Sequence, residues 1–313
     1  MAGSSSGDVP LRQREMRDRN RALVLDAVAR HEPITRAQLA GRTGLTKSSV
    51  SSIVQELLSA RLVVEQGTQR GGDLGRPGTA LTLAREGMAG LGLEVNVDYL
   101  AACVVDLARR TRVRYVEVGD NRVRDPATVV ELLARLAEAA VAAAETQGLT
   151  ISATCVAVPG LVDQETGTVV RAPNLDWTGV PLRQLLAGRV PAAPTQVLVE
   201  NEANVAALGE LWFGDGADFG DYVHISGEVG VGAGIVVGGR VFRGAHGHAG
   251  ELGHTTLAPD GPVCACGGRG CLELFAGQEA ILRRAGLDPD VSTSTGRADG
   301  PVSVLVDRLA AGD

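Results

Sequence analysis

Three of the five cysteines and three of the five histidines of this chain lie in one glycine-rich stretch, residues 244–273. Cys264, Cys266 and Cys271 follow the spacing C-x-C-x4-C, and His254 lies ten residues before the first of them. Three thiolates and one imidazole suit a four-coordinate structural zinc site, and glycine lets the backbone turn tightly enough to aim them. The sequence shows no secretion signal, which favours a metal over disulfides. Three unrelated buried thiols are the alternative.

Two carboxylates accompany these predicted metal ligands. Glu251 lies three residues before His254, and Glu273 lies two residues after Cys271. A metal-bound histidine keeps one ring nitrogen free to donate a hydrogen bond, and nearby carboxylates accept from hydroxyl groups. This set suits a polyol such as a sugar better than an anion. Spacing alone leaves open that both carboxylates are ordinary solvated groups.

The run AGELGH…CxCGxxGCLE resembles the zinc and sugar signature of the ROK family (repressors, open reading frames and sugar kinases). The similarity extends from about Leu91 to Phe275 and includes four further segments: VPGLVD at 158–163, APNLDW at 172–177, ENEAN at 200–204 and GVGAGIV at 230–236. The resemblance implies an α/β fold with two ribonuclease-H or actin-like lobes hinged around a sugar cleft. It also implies that Zn²⁺ is held by His254 and the three clustered cysteines in a structural role.

The same resemblance implies a set of hydroxyl-binding residues. Glu202 stands where the family has its catalytic aspartate, and the amide of Asn174 can both donate to and accept from a hydroxyl. The predicted sugar-binding residues are Asn174, Asn201, Glu202, Glu251, His254 and Glu273.

The family contains both kinases and sensors, and the two phosphate loops distinguish them. Family kinases carry an Asp-x-Gly-Gly-Thr loop, but residues 94–99 read EVNVDY here. Their second loop has a Gly-Thr-Gly core, whereas residues 226–232 read SGEVGVG. Carboxylates in both loops would repel a triphosphate. The sequence therefore predicts a sensor without catalytic residues; an ATP-dependent kinase with weak activity from Glu202 is the alternative, and protein docking through the metal loop stays open.

The N-terminal quarter differs in charge from the rest. Residues 1–85 carry a net charge of +5, and the remainder carries −12, which suggests that the head meets a polyanion. Apolar residues recur at helical spacing from Arg14 to His31, and Thr35 to Gln38 reads as a capping box. Thr46 then caps a third helix beyond a glycine turn. This order resembles a helix-turn-helix module.

Two short strands around residues 67–78 would form the wing of a winged helix. The predicted DNA-binding residues lie at the start of the third helix, on its polar face and in this wing: Thr46, Lys47, Ser48, Ser51, Ser52, Gln55, Arg70 and Arg76. A serine-rich solvated helix face and a flexible linker with incidental arginines are the alternative interpretations.

The predicted domains are a disordered tail at 1–13, a winged helix-turn-helix at 14–84, a first lobe at 89–196 and a second lobe with the zinc loop at 197–313. The second lobe is expected to be truncated, because family members normally continue for another strand-helix-strand stretch. We expect a cytoplasmic, sugar-responsive repressor of carbohydrate genes that binds double-stranded operator DNA as a homodimer or dimer of dimers. Its effector would be a sugar or sugar phosphate. No apolar run is long enough to span a membrane.

Overall fold

The computed structural model describes residues 8–69, 78–190, 197–227, 229–245, 247–288 and 301–312. The chain divides into two compact units. The first comprises residues 1–89, 105–110 and 145–150; the second comprises 90–104, 111–144 and 151–313.

The first unit is a three-helix module with a small sheet. Its elements are α1 (Asp8–His31), β1 (Ile34–Thr35), α2 (Arg36–Thr43), α3 (Lys47–Ser59), β2 (Val63–Gln69) and β3 (Gly78–Leu83). Helix α1 begins six residues before the predicted Arg14, so residues 8–13 are helical rather than part of a disordered tail. Pro10 lies in the first turn, where its missing N–H would have no intrahelical partner in any case.

Local side-chain chemistry sets both helix starts. The Thr35 hydroxyl accepts from the backbone N–H of Gln38, and the Gln38 side chain accepts from the N–H of Thr35, which confirms the capping box. Thr46 caps α3 by accepting from the N–H of Ser49. Gly44, at φ 70°, ends α2 and provides the predicted glycine turn, whereas Gly41 lies inside that helix.

The strand order of the first sheet is β1-β3-β2, with both pairs antiparallel. Strand β1 was not anticipated because two residues are too few to show a period. Buried Leu39, Val50 and Val54 share one core with Leu81 of the sheet. Arg70 and Arg76 lie outside the described residues, so the wing tip that they were predicted to form stays a prediction.

The second unit is built around a five-stranded sheet with the order β11-β7-β4-β5-β6. Its elements are β4 (Gly87–Val95), β5 (Tyr99–Asp106), β6 (Thr111–Val118), α4 (Pro126–Glu145), β7 (Leu149–Val158), β8 (Leu161–Asp163), β9 (Thr168–Ala172), β10 (Trp177–Val180), α5 (Leu182–Leu186), β11 (Leu198–Asn201), α6 (Glu202–Phe213), β12 (Tyr222–Gly227), β13 (Val231–Val237), β14 (Arg240–Val241), α7 (Glu273–Ala276), α8 (Gln278–Arg284) and α9 (Pro301–Ala311). Strand β11 pairs in parallel with β7.

Two smaller sheets complete this unit. Strands β8, β9 and β10 form an antiparallel sheet that the sequence pattern does not indicate. These strands have three to five residues, and neighbouring Val170 and Arg171 are both exposed, so no two-residue alternation marks them. Strands β12, β13 and β14 form the other sheet, on which α6 packs through buried Ala207 and Leu211.

Residues 273–284 form two short helices, α7 and α8, rather than one continuous helix. Gly277 has extended backbone angles between them. A side chain there would collide with the carbonyl oxygen of Glu273. No helix of the described residues is long and apolar enough to cross a membrane.

Candidate metal centre and ligand cleft

The four predicted metal ligands lie together. The ligand atoms of His254, Cys264, Cys266 and Cys271 are all within 4.8 Å of one another. Nδ1 of His254 is 3.7 Å from Sγ of Cys264, and the sulfurs of Cys266 and Cys271 are also 3.7 Å apart. Tetrahedral zinc, with Zn–S near 2.3 Å and Zn–N near 2.0 Å, would separate such atoms by about 3.6–3.8 Å. The donor set and its spacing therefore fit a tetrahedral metal.

Tight turns bring the cysteines together. The N–H of Gly267 donates to the carbonyl of Cys264 at 2.9 Å, and Gly267 has φ 94°. The N–H of Gly268 donates to Sγ of Cys266 at 3.3 Å. This hydrogen bond is the largest cause that lowers the pKa of the Cys266 thiol below its ordinary value, so it favours the thiolate that binds metal.

Two glycines explain how Glu251 and His254 reach the same place. The segment that carries them lies flat on β13: a side chain at Gly250 would collide with the carbonyl oxygen of Ala233, and one at Gly253 with that of Val231. Gly250 also has φ 102°, which side chains rarely tolerate.

A cavity of about 400 Å³ opens beside the metal ligands. All six residues predicted to bind sugar line it: Asn174, Asn201, Glu202, Glu251, His254 and Glu273. Asn96, Arg171 and His248 also line it and were not predicted. His248 could have been suspected from its place in the histidine-rich stretch, whereas nothing in the sequence distinguishes Arg171 from the other arginines. The Arg171 guanidinium donates to the carbonyls of Ala265 at 2.7 Å and Cys266 at 3.2 Å.

The amide of Asn201 is largely occupied by the protein itself. Its oxygen accepts from the N–H groups of Ala203 and Asn204 at the start of α6, at 2.9 and 3.2 Å. Its nitrogen donates to the carbonyl of Gly160 at 2.9 Å. One N–H remains for a ligand, so Asn201 can act toward a hydroxyl mainly as a donor.

Glu273 joins the metal loop to the start of β13. Its Oε2 accepts from the N–H of Val231 at 3.2 Å, and a side chain at Gly230 would collide with this carboxylate. The carboxylate of Glu273 is therefore bound to the backbone of the second glycine-rich loop, residues 226–232, next to the cleft.

Polar groups of the loop between β4 and β5 are hydrogen-bonded to one another and to Asn121. The Tyr99 hydroxyl donates to Glu94 at 2.5 Å, and Asn96 accepts from the N–H of Val97 at 2.6 Å. The fully buried amide of Asn121 donates to the carbonyls of Asn96 and Tyr99 at 2.7 and 3.1 Å. These hydrogen bonds surround residues 94–99, which replace the family's first phosphate loop.

The predicted DNA-binding residues of α3, with its cap Thr46, form one exposed group. Helix α3 buries Val50, Ile53, Val54 and Leu57 in the core. Its N-terminal residues and outer face are exposed: Thr46, Lys47, Ser48, Ser51, Ser52 and Gln55.

A winged-helix-like unit and an α/β unit with a Cys₃His cluster beside a polar cleft define a two-part protein of the helix-turn-helix and actin-like class. Family models agree with both parts: the ROK family model matches residues 90–295, and the MarR family model matches residues 18–72. The chain belongs to the ROK family, in which such a Cys/His cluster is typical of the zinc site.

Individual relatives include both regulators and kinases. The xylose repressor of Caldicellulosiruptor bescii is 35% identical over 264 residues, which cover 84% of this chain and 65% of that protein. A crystal structure described as a ROK family transcriptional regulator, homologous to the E. coli MLC protein, has a TM-score of 0.71 at 28% identity and covers 90% of this chain and 72% of its own. A ROK family glucokinase of Streptomyces griseus, solved with glucose and AMPPNP, has a TM-score of 0.58 at 32% identity over 72% of each chain. This chain thus spans about 65% of the length of the first curated relatives.

Proposed function

We propose that this protein is a DNA-binding transcriptional repressor of carbohydrate genes that senses a sugar in the cleft beside its metal centre. One observation carries the proposal: six polar residues suited to hydroxyl groups line a single cavity next to a Cys₃His cluster. The similarity to xylose repressors supports repression and makes pentoses the first ligands to test.

The proposed metal is a structural Zn²⁺ held by His254, Cys264, Cys266 and Cys271. Four protein ligands close a tetrahedral site and leave no position for a reacting water. We expect Cys266→Ser to lower the metal content from about one per chain towards zero. Cys103→Ser, which alters a cysteine outside the cluster, is the matched control. Metal analysis of both purified variants tests the assignment, and a full metal complement in Cys266→Ser would contradict it.

In the proposed cleft, the carboxylates of Glu202, Glu251 and Glu273 accept hydrogen bonds from sugar hydroxyls. Asn201 donates its remaining N–H, while Asn174 offers an amide from the loop before β10. Three carboxylates around one cavity favour a neutral sugar, and a sugar phosphate is the alternative effector.

Loss of kinase activity is supported by the two loops that would hold phosphates. The first loop is held by a hydrogen bond from buried Asn121 and by one between Tyr99 and Glu94. The backbone of the second loop binds the carboxylate of Glu273. Glu202 could still act as a weak base, and the similarity to glucokinases keeps a sugar kinase as the second candidate. A coupled ADP-release assay with D-xylose, D-glucose and other simple sugars separates the two, because turnover above background would establish the kinase.

The proposed DNA contacts are made by the exposed residues of α3, together with Arg70 and Arg76, in a homodimer or dimer of dimers. We propose the domain boundaries predicted from the sequence, except that residues 8–13 belong to the helix-turn-helix domain and β11 to the sheet of the first lobe. For a sugar to release DNA, it must bind the two conformations of the protein with different affinity. A few kcal/mol of difference would move most of the protein from the DNA-bound to the free form.

Two measurements test this function. A thermal-shift screen with sugars and sugar phosphates identifies the effector, and fluorescence anisotropy on upstream DNA then measures release by each hit. We expect a hit that raises the melting temperature to weaken DNA binding. The repressor proposal fails if the protein binds its upstream DNA no better than unrelated DNA in moderate salt.

A further inference from the structure

Glu200 is a buried carboxylate that lies beside the cleft without lining it. Only 6% of the residue is exposed, at the end of β11. Its Oε1 accepts from the N–H of Asn201 at 2.9 Å and from the Asn204 amide at 3.0 Å. Its Oε2 accepts from Nε and Nη2 of Arg243 at 2.9 and 2.7 Å, and from the Gln164 amide. The carboxylate is therefore surrounded by donors from several segments.

These donors come from three segments that also supply cleft residues. Asn201 leads into α6 and Glu202, and Gln164 follows β8. Arg243 follows β14 and precedes the loop that carries His248, Glu251 and His254. One carboxylate thus connects the walls of the cleft without occupying it.

Arg243 holds that loop through both its main chain and its side chain. Its carbonyl accepts from the N–H of Ala249 at 3.1 Å, which closes the loop on itself. Further along, the carbonyl of Gly250 accepts from the N–H of Ala233 at 3.1 Å. The side chain of Arg243, 35% exposed, supplies the ionic contact to Glu200 on the other wall.

We propose that Glu200 and Arg243 are positioning residues. Their ion pair holds the loop that carries Glu251 and His254 at the distance from Asn201 and Glu202 that sugar binding requires. Hydrogen bonds between ions are shorter and stronger than neutral ones. Two nitrogens of the Arg243 guanidinium donate to the same oxygen of Glu200, so the contact does not depend on a single hydrogen bond. Loss of the pair should loosen the loop between Arg243 and Glu251, while the metal ligands, His254 among them, stay together. The effect on sugar binding rests on the proposed function, whereas the effect on the loop does not.

A purely stabilising ion pair would behave differently. Removing one partner of a buried pair leaves an uncompensated charge and destabilises the protein, and removing both can restore stability. A tether, in contrast, is absent from the single and the double variant alike. The Arg243→Met and Glu200→Gln/Arg243→Met variants therefore separate the two roles. Arg243→Lys keeps the charge and the fold but cannot make the paired contact.

The experiment compares these variants with Arg240→Met, a matched control at an exposed arginine three residues earlier. Hydrogen exchange with mass spectrometry follows the peptides that cover residues 243–254. Zinc content and D-xylose affinity are measured on the same preparations. We expect exchange in this loop to rise about tenfold in Arg243→Met and the double variant, less in Arg243→Lys, and not in Arg240→Met. Zinc content should stay at the wild-type value.

For D-xylose, we expect the dissociation constant to rise about tenfold or more in Arg243→Met, because a displaced loop misplaces its ligands. Loop exchange equal to that of Arg240→Met, or wild-type protection in the double variant, overturns the tether. If wild-type protein binds neither D-xylose nor D-glucose, the sugar proposal fails for these ligands, and the exchange measurement still decides the role of the ion pair.

Discussion

Nε2 of His254 lies 3.8 Å from Oε2 of Glu251, while Nδ1 of the same ring faces the sulfur of Cys264. One imidazole therefore belongs to both the metal cluster and the cleft. Partial burial raises the pKa of Glu251, and its electrostatic interactions with His254 and His248 oppose that rise. A change on the cleft side of the ring should therefore alter the affinity for the metal.

Glu251→Gln tests this connection. The amide cannot match the carboxylate as a partner for a metal-bound imidazole, so we expect metal affinity to fall about 10–100-fold. Competition with a chromogenic chelator measures the affinity. Glu165→Gln, at an exposed carboxylate in the turn after β8, should leave it unchanged. Equal affinities in the two variants would show that Glu251 does not act through His254.

Asn121→Ala tests the loop between β4 and β5. The change removes the donor to both carbonyls and leaves the buried carbonyl of Asn96 without this partner, whereas the carbonyl of Tyr99 keeps the N–H of Asn96. We expect the free energy of unfolding to fall by about 2–3 kcal/mol. Urea denaturation provides the measurement, with Gln184→Ala at an exposed position as the control. A loss below about 0.5 kcal/mol, the usual range for surface substitutions, would mean that the loop does not depend on Asn121.

Lys47→Ala tests the proposed DNA surface. Lys47 is exposed in the first turn of α3, where a phosphate contact is expected. Loss of one such contact from each protomer of the proposed homodimer should reduce the slope of log affinity against log salt by about two, with similar effects on all sequences. Anisotropy titrations at several salt concentrations give the slope. Arg135→Ala on the exposed face of α4 should leave it unchanged, and an unaltered slope in Lys47→Ala would remove that contact from the interface.

Cys155 provides a pH test. Burial, with a smaller contribution from the charge of Glu200, raises the pKa of this thiol to about 11. In the unfolded chain the Cys155 thiol ionises near pH 8.5. The free energy of unfolding therefore falls as the pH rises from about 8.5 to 11. Below that window the full stabilisation is present.

The matching measurement compares wild type with Cys155→Ala by urea denaturation at pH 7 and at about pH 10.5. The substitution has a constant packing cost that cancels in the comparison. We expect the stability of wild type relative to the variant to fall by about 2.5 kcal/mol at the higher pH. A difference that does not change with pH would show that Cys155 ionises freely in the folded state.

Local chemistry made part of this fold predictable. The capping residues Thr35 and Thr46 begin α2 and α3 as their sequence signals indicate. Helix α4 can also be recognised from its sequence, because twenty residues of helical periodicity leave little ambiguity. The C-x-C-x4-C spacing likewise predicted that three sulfurs could meet, because glycine turns act over only a few residues.

Features that depend on partners elsewhere in the chain were missed. Strands β8, β9 and β10 are too short for their own pattern and exist because they pair with one another. The division between α7 and α8 follows from the extended backbone of Gly277, a residue that a helical pattern can include. Arg171 enters the cleft because β9 carries it towards the metal loop.

The sequence by itself determined which chemical groups are available. These are a Cys₃His set, the carboxylates of Glu202, Glu251 and Glu273, and two loops without phosphate-binding residues. Only the tertiary structure decided that Asn174, Glu202 and Glu273 share one cavity, and that Glu200 meets Arg243 rather than the cleft. The physical reason is range. Caps and turns depend on neighbours a few residues away, whereas a cleft forms only when strand pairing brings together segments that are far apart in the chain.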